Sequence, residues 1–117
     1  MQKLKFHKRF ADLILTGAKT TTIRTSIKRG TFIITVGQQQ LKQCDLEFIR
    51  ELSWPDLSTA DKLQLVRDED LESIEDLERA LRECYWYAID DILSGERKLY
   101  LHRIINVRPL PAKLFAD

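Results

Sequence analysis

The sequence predicts an α+β fold in which mostly antiparallel strands close as a small barrel. Three observations lead there. Apolar residues alternate at period two in the first part of the chain; the period lengthens to that of amphipathic helices beyond Trp54-Pro55; and the longest strand candidate follows the turn signal Ser94-Gly95. At 117 residues, 44% hydrophobic and 32% charged, the chain is expected to form one domain (1–117) with a core of its own. No internal repeat or low-complexity stretch interrupts it.

Lys3–His7 (KLKFH) puts Leu4 and Phe6 on one face of a short strand. Lys8–Thr16 spaces Phe10, Leu13 and Ile14 as a helix does, and Gly17 supplies the left-handed residue that closes it. Thr20–Thr25 is β-branched throughout except for Arg24, which favours a strand. Ile27–Gly30 reads as a basic turn, and Thr31–Val36 (TFIITV), ended by Gly37, as a strand buried on both faces. Cys44–Ile49 (CDLEFI) alternates again, with Cys44, Leu46 and Phe48 on one side. Ser58 with Asp61, and Ser73 with Asp76, have the spacing that opens a helix. The first helix is expected to carry Leu63 and Val66, the second a stripe of Ile74, Leu77, Leu81 and Cys84, with the acidic joint Asp68–Glu72 between them. Lys98–Val107 is the last strand, ended by Pro109 and Pro111. In a barrel the basic first and last strands are expected to be neighbours.

The net charge of +1 conceals an asymmetry. Residues 1–30 hold eight lysines and arginines against Asp12 alone, whereas residues 51–96 hold fourteen acids against four bases. A basic face of that kind suits RNA or a phosphorylated small molecule, and it equally serves solubility. No apolar run approaches a membrane span, so no membrane partner is expected. The basic amino-terminal segment lacks an apolar stretch of the secretory kind, which makes the cytoplasm the expected location. Cys44 and Cys84 lie far apart without a CxxC pattern and are expected as free thiols. With only His7 and His102 besides, no metal site and no other cofactor is expected. Both histidines alternate with apolar strand positions, which places them on a polar face or rim.

The stretch most loaded with chemistry is GAKTTTIR at 17–24. In a strand, Thr20, Thr22 and Arg24 point one way and Thr21 and Ile23 the other, while Lys19 sits in the preceding turn. Such a group can be a plain hairpin edge. It can hold a carboxylate or phosphate through ammonium and guanidinium. It can also be a threonine nucleophile with a desolvated lysine as its base. Spacing alone leaves the three open. Trp86, flanked by Tyr85 and Tyr87, either plugs the core or stacks a base. Lys3, Lys5, Lys8, Arg9, Lys28 and Arg29 have the charge to follow a phosphate backbone, though each alone is ordinary surface.

GAKTTTIR matches G-x-K-x-x-T-x-R, and on that motif the chain resembles the ASCH domain, a branch of the PUA-like superfamily. FADLILTG resembles the family's helix leading into the motif, DEDLESIEDLERAL is similar to its E-G-F-x-S-hydrophobic-E-E segment, and LYLHRI resembles its closing strand. The resemblance runs from about Leu4 to Val107. It implies a PUA-like β-barrel with flanking helices and a cleft suited to RNA, a nucleobase, a nucleoside or a nucleotide. In one bacterial branch, the motif lysine and threonine with a later glutamate hydrolyse the amide of N4-acetylcytidine. Carried over, these residues are Lys19 as base, Thr22 as nucleophile and Glu69 as acid/base for the leaving amine. Arg24, with Thr20, Lys5 and Arg9, would then contact substrate or RNA. Two departures stand out. Asp70 replaces the glycine after Glu69, which keeps Asp68, Asp70 and Glu72 as alternative acids, and Gly30-Thr31 stands where the family often has Gly-Asp. Tyr87–Glu96 looks like an insertion that could reshape one wall of the cleft. The oligomeric state is not legible.

Overall fold

Residues 2–112 are described in the computed structural model. Along them run β1 (Gln2–Phe6), α1 (Ala11–Leu15), β2 (Thr21–Arg24), β3 (Gly30–Val36), β4 (Gln39–Leu52), α2 (Thr59–Asp68), α3 (Ile74–Cys84), α4 (Ile89–Ser94) and β5 (Leu99–Arg108). Short 3-10 turns occupy Lys8–Phe10, Trp54–Asp56 and Trp86–Ala88. The fold is therefore α+β, as its periodicities predict.

The five strands form one sheet in the order β1-β3-β4-β5-β2, parallel between β1 and β3 and antiparallel elsewhere. β4 makes two of the four strand pairings. Its residues from Gln39 to Leu46 pair with β3, and those from Gln43 to Leu52 pair with β5. Register shifts at Ile34/Thr35, Gln43/Asp45 and Phe48/Arg50 add the local twist that a bulge brings. The sheet curls into a half-barrel and stops. The expected pairing of the first and last strands does not occur: β5 is taken on both sides by β4 and β2, which leaves β1 and β2 as the free edges.

Apolar side chains fill the two ends of this trough. Leu4, Phe6, Phe10, Ile14, Phe32, Ile34, Cys44 and Leu46 pack at one end, and Leu52, Trp54, Leu65, Val66, Ile92, Leu99 and Leu101 at the other. Helix α3 lies across both, giving Ala80 to the first group and Leu77 and Leu81 to the second. Each such buried side chain favours the folded state by about 1.5–3 kcal/mol. Helix starts match the sequence. Ser58 and Asp61 form a reciprocal capping box, and the Ser73 hydroxyl accepts the Asp76 N–H at 3.1 Å.

Two expectations, on Leu63 and His102, need correction. Leu63 is 41% exposed; the residues that α2 turns inward are Leu65 and Val66. The stretch 87–96 is mostly helical, and α4 buries Ile92 against the second group of core residues. His102 is no rim residue but is fully buried. Its Nε2 accepts the Lys28 N–H at 2.9 Å and its ring lies 5.8 Å from that of Phe48, while burial lowers its pKa. Cys44 and Cys84 are free. Among the described residues, no helix is long and apolar enough to cross a membrane.

Gly95 closes α4 at φ 87°, where an added Cβ would come within 2.9 Å of Pro55 Cγ and 3.3 Å of Ser53 Oγ. Gly95→Ala is expected to destabilise the protein by about 1–3 kcal/mol, from left-handed strain and overpacking together. Thermal unfolding would report this as a fall of roughly 4 °C per kcal/mol.

Candidate functional site

The two free edges, β1 and β2, face each other across the gap where the barrel does not close, and side chains replace the missing strand pairing there. The Arg24 Nη1 donates to the Lys5 carbonyl of β1 at 2.7 Å. The Tyr85 hydroxyl donates to the Ile23 carbonyl, and the Lys19 ammonium donates to the Thr21 carbonyl at 2.8 Å. Buried carbonyls need such partners, since an unsatisfied one costs about 1–3 kcal/mol.

Lys19 reaches this position because α1 ends at Gly17, whose φ of 79° turns the chain, and the Lys19 N–H then donates to the Leu13 carbonyl at 3.0 Å. Its side chain runs inward between Phe10 and Phe6, with the ammonium 4.5 Å from the Phe10 ring centre. There it forms a short, buried ion pair with the Glu69 carboxylate. The same carboxylate oxygen accepts the Thr21 hydroxyl at 2.8 Å. The Asp68 carbonyl lies 3.0 Å from the same hydroxyl, so the single Thr21 proton is shared between two acceptors that tie β2 to the end of α2.

Glu69 is presented by the way α2 terminates. Asp70 adopts φ 54°, its N–H donates to the Arg67 carbonyl at 3.1 Å, and the Leu71 N–H donates to the Val66 carbonyl at 2.8 Å. This is the Schellman pattern that a glycine usually closes. Asp70 therefore adopts the glycine conformation, and Glu69 is the acid that enters the interior. Asp68 is instead bonded by Gln64 at 2.8 Å, and Asp70 and Glu72 are exposed.

Thr22 and Arg24 sit beside the pair on β2. The Arg24 Nε donates to the Thr22 hydroxyl at 2.9 Å, which leaves the hydroxyl proton free for another acceptor. The guanidinium lies 4.5 Å from the Phe6 ring centre, and burial lowers its pKa without approaching neutrality at physiological pH. Burial likewise pushes the Tyr85 phenol and the Cys84 thiol upward, so both stay protonated. Cys84 is thus an unreactive wall residue.

These groups converge on one cavity of about 450 Å³ between β1, β2 and α3. Lys19, Thr22, Arg24 and Glu69 all line it, and Phe6, Phe10, Leu81 and Tyr85 supply apolar and aromatic wall. Lys5 lines it as well. Arg9 does not: its guanidinium is held by Asp76 at 2.7 Å and Glu83 at 3.0 Å, and it depresses the Asp76 carboxyl in turn. Thr20 also stands apart, exposed in a separate depression with Arg50, Asp68 and Arg103.

The arrangement differs in one respect from a threonine activated by lysine. Among the described residues, the hydroxyl that touches Glu69 belongs to Thr21, and the ammonium of Lys19 is bonded to Glu69 and a carbonyl rather than to Thr22. Tyr85 carries the least expected role, since its polar end ties down an edge strand while its ring forms cavity wall. The only signal for it in the sequence is the position of an aromatic directly after α3. Among the described residues no group of three or more His, Cys, Asp or Glu side chains is placed to hold a metal ion. No family model matches the chain, and no curated protein matches it either.

Lys19→Met is expected to destabilise the protein by about 3–5 kcal/mol, because it leaves the Glu69 carboxylate buried without its counter-ion. The double variant Lys19→Met/Glu69→Leu should recover most of that loss in urea unfolding, whereas additive losses would mean the pair is not coupled. Asp70→Gly should raise stability by about 0.5–1 kcal/mol by relieving the left-handed strain. Its thermal midpoint should rise while the cavity chemistry stays intact.

Proposed function

We propose that the chain is a PUA-like domain of the ASCH type that holds a nucleobase, as a nucleoside or as part of RNA, in the cavity between its two edge strands. The observation that carries this reading is the convergence of Lys19, Thr22, Arg24 and Glu69 on one cavity of about 450 Å³ with aromatic walls. A volume in the range of about 300–1,000 Å³, apolar walls and a few convergent polar groups are the features of small-molecule sites. Phe6, Phe10 and Tyr85 suit a flat ring. The Arg24 N–H groups not used by Thr22 and Lys5, together with the Thr22 proton, suit the carbonyl and nitrogen acceptors of a base edge.

Hydrolysis is the second reading, supported by the same three residues that serve it in the N4-acetylcytidine branch lining a single cavity here. The Lys19 proton would pass to Glu69 along their hydrogen bond, with no change in total charge. The amine so formed accepts the Thr22 proton as Thr22 Oγ attacks the acyl carbon. Glu69, now a carboxylic acid, gives its proton to the departing amine, and water then cleaves the threonine ester. This route requires a bound ligand to bring Lys19 and Thr22 into contact.

Incubation with N4-acetylcytidine followed by chromatography separates the two readings. Hydrolysis predicts cytidine released by the wild type and a loss of about 100-fold or more in Thr22→Val and Lys19→Ala. Circular dichroism on both variants distinguishes lost chemistry from a lost fold. Calorimetry with cytidine and N4-acetylcytidine tests the binding reading directly. Saturable binding that Arg24→Gln weakens is the expected result, and heat absent for every nucleoside and short RNA would refute it.

A further inference from the structure

Between α3 and α4 stand three consecutive aromatics, Tyr85, Trp86 and Tyr87. Tyr85 and Tyr87 both line the cavity, and the first is fixed to β2 through the Ile23 carbonyl. Tyr87 is 56% exposed and Trp86 is 74% exposed, although an indole of this size usually finds cover. Tyr85 and Tyr87 meet at 83° with ring centres 6.4 Å apart, and Trp86 meets Tyr87 at 90° and 6.0 Å. An aromatic series therefore runs from the cavity wall out to solvent. Its edge-to-face contacts hold the rings without stacking them on one another. The Arg97 guanidinium lies 5.9 Å from the ring centre of Tyr87, the middle ring of the series.

We propose that Trp86 is a stacking subsite for a second base, adjacent to the base held in the cavity. The ligand is then a single-stranded oligonucleotide of at least two nucleotides, not a free nucleoside. This rests on the reading of the cavity as a nucleobase site. Every base has a flat π face, so an exposed indole beside a base pocket accepts the neighbouring base whatever its identity. Exposed Lys5, which lines the cavity, and exposed Arg97 are the cations positioned to meet the linking phosphate.

The surrounding charge makes stacking the dominant contribution. Glu83 lines the cavity, and Asp90 and Asp91 begin α4, so the lip repels additional phosphates. Arg9 is already held by Asp76 and Glu83. Contacts to one or two phosphates give a slope of log affinity against log salt of only about −0.7 to −1.4.

The test is calorimetric titration of wild type, Trp86→Ala, Trp86→Phe and Thr22→Val with cytidine, a cytidine-containing dinucleotide and short single-stranded RNA. Trp54 is only 6% exposed, so quenching of indole fluorescence by the RNA reports Trp86. The expected result is tighter binding of dinucleotide than nucleoside by the wild type. Trp86→Ala should weaken the dinucleotide roughly 5- to 150-fold and leave the nucleoside within about twofold. Trp86→Phe should retain most of the dinucleotide affinity, and Thr22→Val should weaken both ligands. Equal affinity of Trp86→Ala and wild type for the dinucleotide overturns the subsite. Oligonucleotide binding that depends on Trp86 but not on Thr22 overturns the cavity reading on which the subsite rests. A dimer seen by ultracentrifugation in the wild type and lost in Trp86→Ala, with no oligonucleotide bound, assigns the lip to a second copy of the chain and also overturns the proposal.

Discussion

A sheet that curls without closing has two edges whose backbone carbonyls must find partners elsewhere, and the architecture around the cavity answers that requirement. In a closed barrel each strand satisfies its neighbour. Here Arg24, Tyr85 and Lys19 reach into the gap and donate to Lys5, Ile23 and Thr21. The residues that make the site polar are thus the ones that complete the sheet. Their rigidity follows from the same cause, because each is held at its head group and packed along its stem.

The Lys19–Glu69 pair adds a second level. Burying two charges costs several kcal/mol per ion before their mutual attraction is counted. It is tolerable here because the ammonium also meets the Thr21 carbonyl and the aromatic face of Phe10, while the carboxylate also accepts from Thr21. The pair joins β2, from the sheet, to the end of α2, from the helical layer. Docking of α2 on the sheet and assembly of the site are therefore coupled through one set of contacts. The hydrophobic clusters hold α3 over the trough, but the ion pair fixes which residues face the cavity.

Much of this was legible in the residues themselves. GAKTTTIR announces a charged, hydroxyl-rich strand after a helix-closing glycine, whereas Glu69 enters only through the resemblance, beside Asp68, Asp70 and Glu72. Alternation places Thr22 with Arg24 and Thr21 on the other side, as the hydrogen bonds do, but it does not show that both sides are covered. Both threonines are buried, because the end of α2 covers one side of β2 and the cavity lies on the other. Strand β4 extends beyond the alternation of 44–49 because Gln39–Lys42 is polar except for Leu41, and pairing with β3 reveals it. α4 was hidden by the turn signal of its own cap, Ser94-Gly95. His102 alternates like a surface residue, yet a backbone N–H from another loop supplies the partner that lets it be buried. Arg9 had the charge for a phosphate, but only the fold shows α3 claiming it. Asp70 takes the left-handed conformation that a glycine usually supplies at a helix end.

The open edge also gives the molecule a line of mechanical compliance. Pulling β1 away from β2 breaks no ladder of strand hydrogen bonds. It asks that the Arg24 contacts to the Lys5 carbonyl and the Phe6 ring and the Lys19 contact to Phe6 lengthen, while the tether of Tyr85 remains on the β2 side. The width of the cleft can therefore vary with the girth of its occupant while the core on either side stays packed. A closed barrel of the same strands would have one fixed bore.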